Sequence, residues 1–151
     1  MQTLAGAAIL IQGNRGMGRH RVYTTELLDD GTLLVFKGSG VLSGLELIET
    51  TRKLVESGDA VSAVRRTLVL FDEVTKMDVN ADDVRRLIEV DKSLMELIPR
   101  TAIAIVAPKD EVFGLSRMWE MMVGVPGWET RVFRSRAEAD AWLDAARKPS
   151  K

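Results

Sequence analysis

Three groups of side chains in this chain have the types and spacing to do chemistry. The first is acidic: Asp72, Glu73, Asp78, Asp82 and Asp83 crowd one short stretch. Hard cations such as Mg²⁺ are held by several carboxylate oxygens, so Asp72, Asp78 and Asp82 are candidate ligands of a weak acidic site. The competing account is helix capping plus solvation, because a helix N-terminus attracts carboxylates of the Asp82 and Asp83 kind through its dipole. The second is Asp91. At 100° per residue it falls between Leu87, Ile88, Leu94, Met95 and Ile98, inside an apolar stripe. A carboxylate there must be paired, protonated, or open to a cleft or interface. Lys37, Arg66 and Arg100 are its candidate partners in a structural salt bridge; the alternative is a ligand or interface role. The third is the patch Phe113, Arg117 and Met121. The wheel for that helix places Leu115, Met118, Trp119 and Met122 on the core face. Phe113, Ser116, Arg117 and Glu120 fall on the other, with Met121 at its margin. Exposed aromatic, Arg and Met side chains are enriched at interfaces; the alternative is a lid under the Gly124–Gly127 turn.

Two further features read as bland. His20 is the chain's one histidine and stands between Arg19 and Arg21, where its cation is disfavoured and no second ligand is evident. The glycine-rich segment Gly13 to Gly18 precedes a strand rather than a helix, so it lacks the amide nest and dipole that cradle phosphate.

The elements that must position these residues follow from hydrophobic periodicity and punctuation. Residues 1–18 read as an arm outside the core or a strand added to an edge, and Met17 is an alternative start. Residues 19–147 form one domain and residues 148–151 a solvated tail. Val22 to Leu28 and Leu33 to Phe36 flank Asp29-Asp30-Gly31, a hairpin signature. Ser43 with Glu46 makes a capping box for a helix through Val55, and Gly58 lies past its end. Thr67 to Phe71 is a short apolar run suited to a strand covered on both faces. Asn80 caps a helix that Pro99 closes, Ala102 to Ala107 is a second buried strand, and Asp110 caps a helix to about Val123. Thr130 to Phe133 is the last strand, and Ser135 with Glu138 caps a final helix carrying Ala139, Trp142 and Leu143. The order ββαβαβαβα predicts an α/β domain: a mixed sheet of about five strands, parallel after the first, with four helices.

This order, together with Gly40-Val41-Leu42-Ser43-Gly44, the strand Arg100 to Ala107, Phe113 to Met118, Val132-Phe133-Arg134 and Glu138 to Leu143, resembles the SpoIIAA-like group of STAS/SEC14-type domains. The resemblance runs from about Val22 to Leu143. It implies a bacterial binding module, often oligomeric, that acts on a protein partner or an apolar ligand without catalysis. Anti-sigma antagonists of that group carry a phosphorylatable serine at the helix start after the central strand. Here that place reads Asn80, followed by Ala81, and an amide accepts no phosphoryl group. Thr75 is the weak substitute acceptor.

Composition narrows the functions further. The 151 residues hold 21 Lys plus Arg against 22 Asp plus Glu, a balance that gives no global attraction for nucleic acid or an anionic membrane. There is no cysteine, which excludes disulfides, thiolate metal sites and cysteine nucleophiles. The apolar run Leu4 to Ile11 is far short of the ~20 residues that span a bilayer and lacks the basic start of a secretory signal; the cytoplasm is the expected compartment. No nucleophile–base pair, oxyanion hole or cofactor fingerprint stands out, so no cofactor is expected. The leading expectation is a non-catalytic regulatory module that works through protein contacts or self-association. The alternatives are a carrier of a small apolar ligand, and a Mg²⁺-dependent enzyme or phospho-regulated switch at the acidic cluster.

Overall fold

The computed structural model describes residues 9–12 and 22–147. Strand β1 (Ile9–Gln12) leads to β2 (Tyr23–Leu28) and β3 (Leu33–Ser43). Helix α1 (Gly44–Ser57) and a short 3₁₀ turn (Gly58–Val61) follow. Then come β4 (Arg66–Asp78), α2 (Ala81–Leu97), β5 (Thr101–Val106), α3 (Asp110–Val123), β6 (Trp128–Phe133) and α4 (Arg136–Arg147). The sheet has six strands in sequential order. The pairs β1–β2 and β2–β3 are antiparallel, and β3–β4, β4–β5 and β5–β6 are parallel. Four helices and a mixed sheet are the expected class; the sixth strand is β1, paired to β2 at one edge of the sheet.

The topology decides where a site can form. When a chain steps one strand at a time in one direction with right-handed crossovers, every connecting helix falls on the same face. Helices α1, α2 and α3 accordingly bury one core with Leu34, Phe36, Val69, Phe71, Ile103 and Ile105 of the sheet. The residues between these, pointing to the opposite face by the period of two, meet α4: Leu68, Leu70, Ala102, Ala104 and Val106 pack on Ala139 and Leu143. Strand β5 is therefore buried on both faces along its whole length.

Local chemistry sets the element ends. Ser43 and Glu46 form the capping box of α1, and Asn80 with Asp83 forms one for α2. The hairpin between β2 and β3 runs through three left-handed residues, Asp29, Asp30 and Gly31, where Asp tolerates positive φ through local hydrogen bonding. The expectation that Asp110 caps α3 is corrected. Lys109 stands at the cap without a side-chain bond, and Asp110 instead accepts from Arg134 Nη1 at 2.7 Å.

Two boundaries depart from the periodicity. The β3 pattern was expected to stop near Phe36, yet the strand continues through Gly38-Ser39-Gly40 to Ser43. Its partner β4 continues past Phe71 to Asp78. The pairing shifts register between Lys37 and Ser39 and again between Gly40 and Val41. These irregularities turn the strict alternation of β4 into a spacing of three, with Val74 and Met77 buried. Gly40 sits at φ +65°, a conformation that favours glycine. Beyond it Gly44 begins α1, and a Cβ there would overlap the Asp83 carboxylate. The starts of α1 and α2 are thus packed against each other with no room for a side chain.

Candidate functional site

The space between the sheet and α1–α3 is not fully filled. A cavity of about 110 Å³ opens among Phe36, Val69, Ile103, Leu87, Leu115 and Trp128. Its wall is mainly apolar, but several polar side chains also line it. Thr67 and Thr101 are both buried and hydrogen-bond each other at 2.9 Å. Thr51 donates to the Leu47 carbonyl one turn back. Trp128 donates Nε1–H to the Ile98 carbonyl at 2.7 Å. Ser116, in contrast, is a buried residue of the cavity wall whose hydroxyl has no partner among the described residues.

Asp91 faces the same cavity from α2 and is only 5% exposed. Its Oδ2 accepts a hydrogen bond from Trp119 Nε1–H of α3 at 2.8 Å. Among the described residues no cation reaches it, which corrects the expectation of a salt bridge. Lys37 pairs with Glu73 and Arg66 with Asp29, and Arg100 is exposed in the loop before β5. The reason is strand parity. Phe36 and Thr67 face the cavity, so their neighbours Lys37 and Arg66 point to the other side of the sheet.

Electrostatics follow from this placement. Burial disfavours the charged carboxylate and pushes the Asp91 pKa up to about 7, with the Trp119 hydrogen bond opposing that rise. Burial also pushes the Tyr23 phenol up, and the nearby Asp91 charge adds to it. Tyr23 stacks on Phe36 and Phe71 with ring centroids 5.5 and 6.2 Å apart. Tyr23 and Asp91 are the only ionisable groups among the described residues lining the cavity, and none of those residues carries a positive charge.

The other sequence candidates are dispersed. Asp72, Glu73, Thr75 and Asp78 are exposed positions of β4, and Asp82 faces Arg85 and Arg86 on the surface of α2. Asp83 caps Asn80. Among the described residues no three His, Asp or Glu side chains are grouped as a metal set. Thr75 lies within the strand, five residues before Asn80, not at the helix start. His20 and Gly13 to Gly18 fall outside the described residues.

The face of α3 also needs correction. Its buried residues are Val112, Ser116 and Val123, a stripe that includes Trp119 but is rotated away from Met122, which is 41% exposed. Ser116 is on the core side, not the outer one. Phe113 is half-buried against the main core, with the Arg134 guanidinium 4.1 Å from its ring centroid. Of the expected patch, Met121 is 75% exposed and Arg117 pairs with Glu120 at 3.2 Å.

No family model matches the chain. No curated protein matches it either. Among solved structures it is similar to the anti-sigma factor antagonist SpoIIAA in its unphosphorylated form, with 16% identity and a TM-score of 0.49 over 81% of this chain and 97% of that one. It is also similar to the Bacillus cell fate determinant SpoIIAA in its phosphorylated form, with 16% identity and a TM-score of 0.47 over 80% and 98%. In the present chain, Asn80 at the start of α2 spends its side-chain oxygen on the Asp83 amide at 2.8 Å. No helix among the described residues is long and apolar enough to cross a membrane.

The Asp91–Trp119 contact was half-legible in sequence. Asp91 stood out for its position in the stripe, and Trp119 was placed on the inner side of α3. The usable signal was that a buried carboxylate needs a donor and that an indole N–H is the donor available from an apolar helix face. Ser116 was missed because a serine reads as surface.

Proposed function

We propose that this domain is a non-catalytic binding module whose ligand is a small, largely apolar molecule taken into the cavity between the sheet and α1–α3. The observation that carries this reading is Asp91, a buried carboxylate facing an apolar space with no cation among the described residues to compensate it. Leaving such a group in a core is destabilising, and a hydrophobic residue of similar size would pack there at lower cost. A carboxylate kept in such a place, beside a cleft, is the pattern of a functional site. Ser116 repeats the pattern on the facing helix. The test is thermal melting with a panel of small apolar alcohols, ketones and amines. A ligand at one hundred times its Kd stabilises the fold by about 2.7 kcal/mol. A panel that leaves the melting temperature unchanged would count against the proposal.

A second reading, action through protein contacts or self-association, is favoured by a different observation. Val41 and Leu45 are 55% and 64% exposed at the corner where β3 turns into α1, beside the packed starts of α1 and α2. Paired apolar side chains on a rigid corner are what a partner surface can bury. Replacing both with Asp should leave the melting temperature within about 0.5 kcal/mol of the native value, as for ordinary surface changes. It should also abolish concentration-dependent sedimentation of the native chain. A native chain that stays monomeric at all concentrations removes self-association at this corner.

A further inference from the structure

We infer that the ligand of this cavity is a small branched-alkyl ammonium compound, whose cation sits against Asp91 and Ser116 while its alkyl body occupies the apolar space. The inference rests on the cavity being a ligand site and names the chemistry that site would select. Three features of the wall point the same way. Its one group able to carry charge near neutral pH is an acid, and Trp119 supplies only one hydrogen bond to it. Among the described residues no Lys or Arg neutralises that acid, so a cationic ligand is the complement this wall would favour. The Ser116 hydroxyl, buried and without a partner among the described residues, lies one turn from Trp119 on the same side of α3, since residues three apart are neighbours on a helix surface. An ammonium group has donors for both the carboxylate and that hydroxyl, and charge-assisted bonds of this kind are roughly twice as strong as neutral ones.

Size restricts the body. An apolar cavity of about 150 Å³ takes up benzene, so the space of about 110 Å³ here suits a body of about four or five heavy atoms, aliphatic and compact. Acidic ligands are disfavoured because a second carboxylate would be buried beside Asp91, and zwitterionic ones because their single cation would have two carboxylates to neutralise with no help from the described residues of the wall. The polar groups that line the cavity with Asp91 are Tyr23 from β2, Thr51 from α1, the Thr67–Thr101 pair from β4 and β5, Ser116 and Trp119 from α3, and Trp128 from β6. Of these only Tyr23 is ionisable, and it is held neutral by burial. The preference for a cation therefore follows the protonation of Asp91 alone.

The experiment compares isobutylamine with isobutanol, matched in shape and different in charge, by following the indole N–H resonances of the full chain in ¹H–¹⁵N spectra. Trp119 and Trp128 line the cavity, while Trp142 packs on Phe133 on the opposite face of the sheet and serves as the internal reference. Isobutylamine is expected to move the Trp119 resonance and leave Trp142 in place. At about pH 8 it should bind at least about tenfold more tightly than isobutanol. At about pH 6, where Asp91 is mostly protonated, its affinity should fall about tenfold. In Asp91→Asn the two compounds should bind alike; if that variant does not fold, the pH comparison on the native chain decides by itself. Isobutanol binding as tightly as isobutylamine at about pH 8 would overturn the ammonium class while keeping the cavity as a ligand site. Neither compound moving Trp119 would remove the site together with the class.

Discussion

Replacing Asp91 with Asn should stabilise the domain, and by an amount that depends on pH. Burial pushes the Asp91 carboxyl up to about 7 in the folded chain, against 3.8 for a solvated Asp. A folded pKa raised above the unfolded one means that the unfolded chain releases the proton first as pH rises. Stability from this group is therefore fully present below about pH 4, declines between about pH 4 and 7, and is gone above that. The two values differ by about three pH units, each worth about 1.4 kcal/mol, so the ionised carboxylate costs the fold about 4 kcal/mol at pH 8. Asn keeps the shape and an oxygen that can accept from Trp119 Nε1–H, but it never ionises. The variant should match the native chain within about 1 kcal/mol at pH 4 and exceed it by about 2–4 kcal/mol at pH 8. The lower bound allows for water entering the cavity beside the charge. Urea denaturation of both proteins from pH 4 to pH 8 measures this, and the difference between them cancels the other carboxylates. A variant that is less stable than the native chain by the same amount at every pH would refute the reasoning. That result would mean Asp91 is a paired structural group whose removal merely breaks a contact.

Two further predictions follow from the same geometry. Trp119→Phe removes the one hydrogen bond that favours the ionised carboxylate, so the Asp91 titration should move above its native midpoint when followed by side-chain ¹³C shifts; a lower midpoint would show that Trp119 does not support the charge. Gly44→Ala places a methyl group on the Asp83 carboxylate, which must displace the cap of α2, and should cost about 1–3 kcal/mol in denaturation experiments; an unchanged variant would mean that the two helix starts are not packed as described.

Much of the fold was legible because local signals and tertiary packing agree in it. Ser43 with Glu46 and Asn80 with Asp83 cap the helices that the apolar spacing places after them. The continuous apolar runs around Val69 and Ile105 are strands buried on both faces. What escaped were features set by long-range pairing. Gly38-Ser39-Gly40 reads as a break, but β3 passes through it by shifting register against β4, and no local pattern encodes a partner strand's bulge. The same shift carries β4 to Asp78, so Asp72, Glu73 and Asp78 take exposed positions along the strand while Asp82 and Asp83 lie on α2, and the five do not converge. On α3 the spacing of the bulkiest apolar residues points to Leu115, Met118, Trp119 and Met122 as the inner face. Leu115, Met118 and Trp119 do pack against the core, but Ser116 joins Val112 on the buried side while Met122 stays outside with Met121. The Asp91 anomaly was visible from position alone. Its partner was not, although strand parity already placed Lys37 and Arg66 on the far side of the sheet from the Phe36 and Thr67 side chains.

Assigned ¹³C chemical shifts of the Asp91 side-chain carboxyl, followed from about pH 4 to about pH 9 in the unliganded native chain, test the central claim most directly. An uncompensated carboxylate in an apolar cavity predicts a midpoint near 7. A midpoint near that of a solvated Asp, about 4, would show that a cation or water already satisfies the group, and it would remove the physical reason for reading the cavity as a binding site.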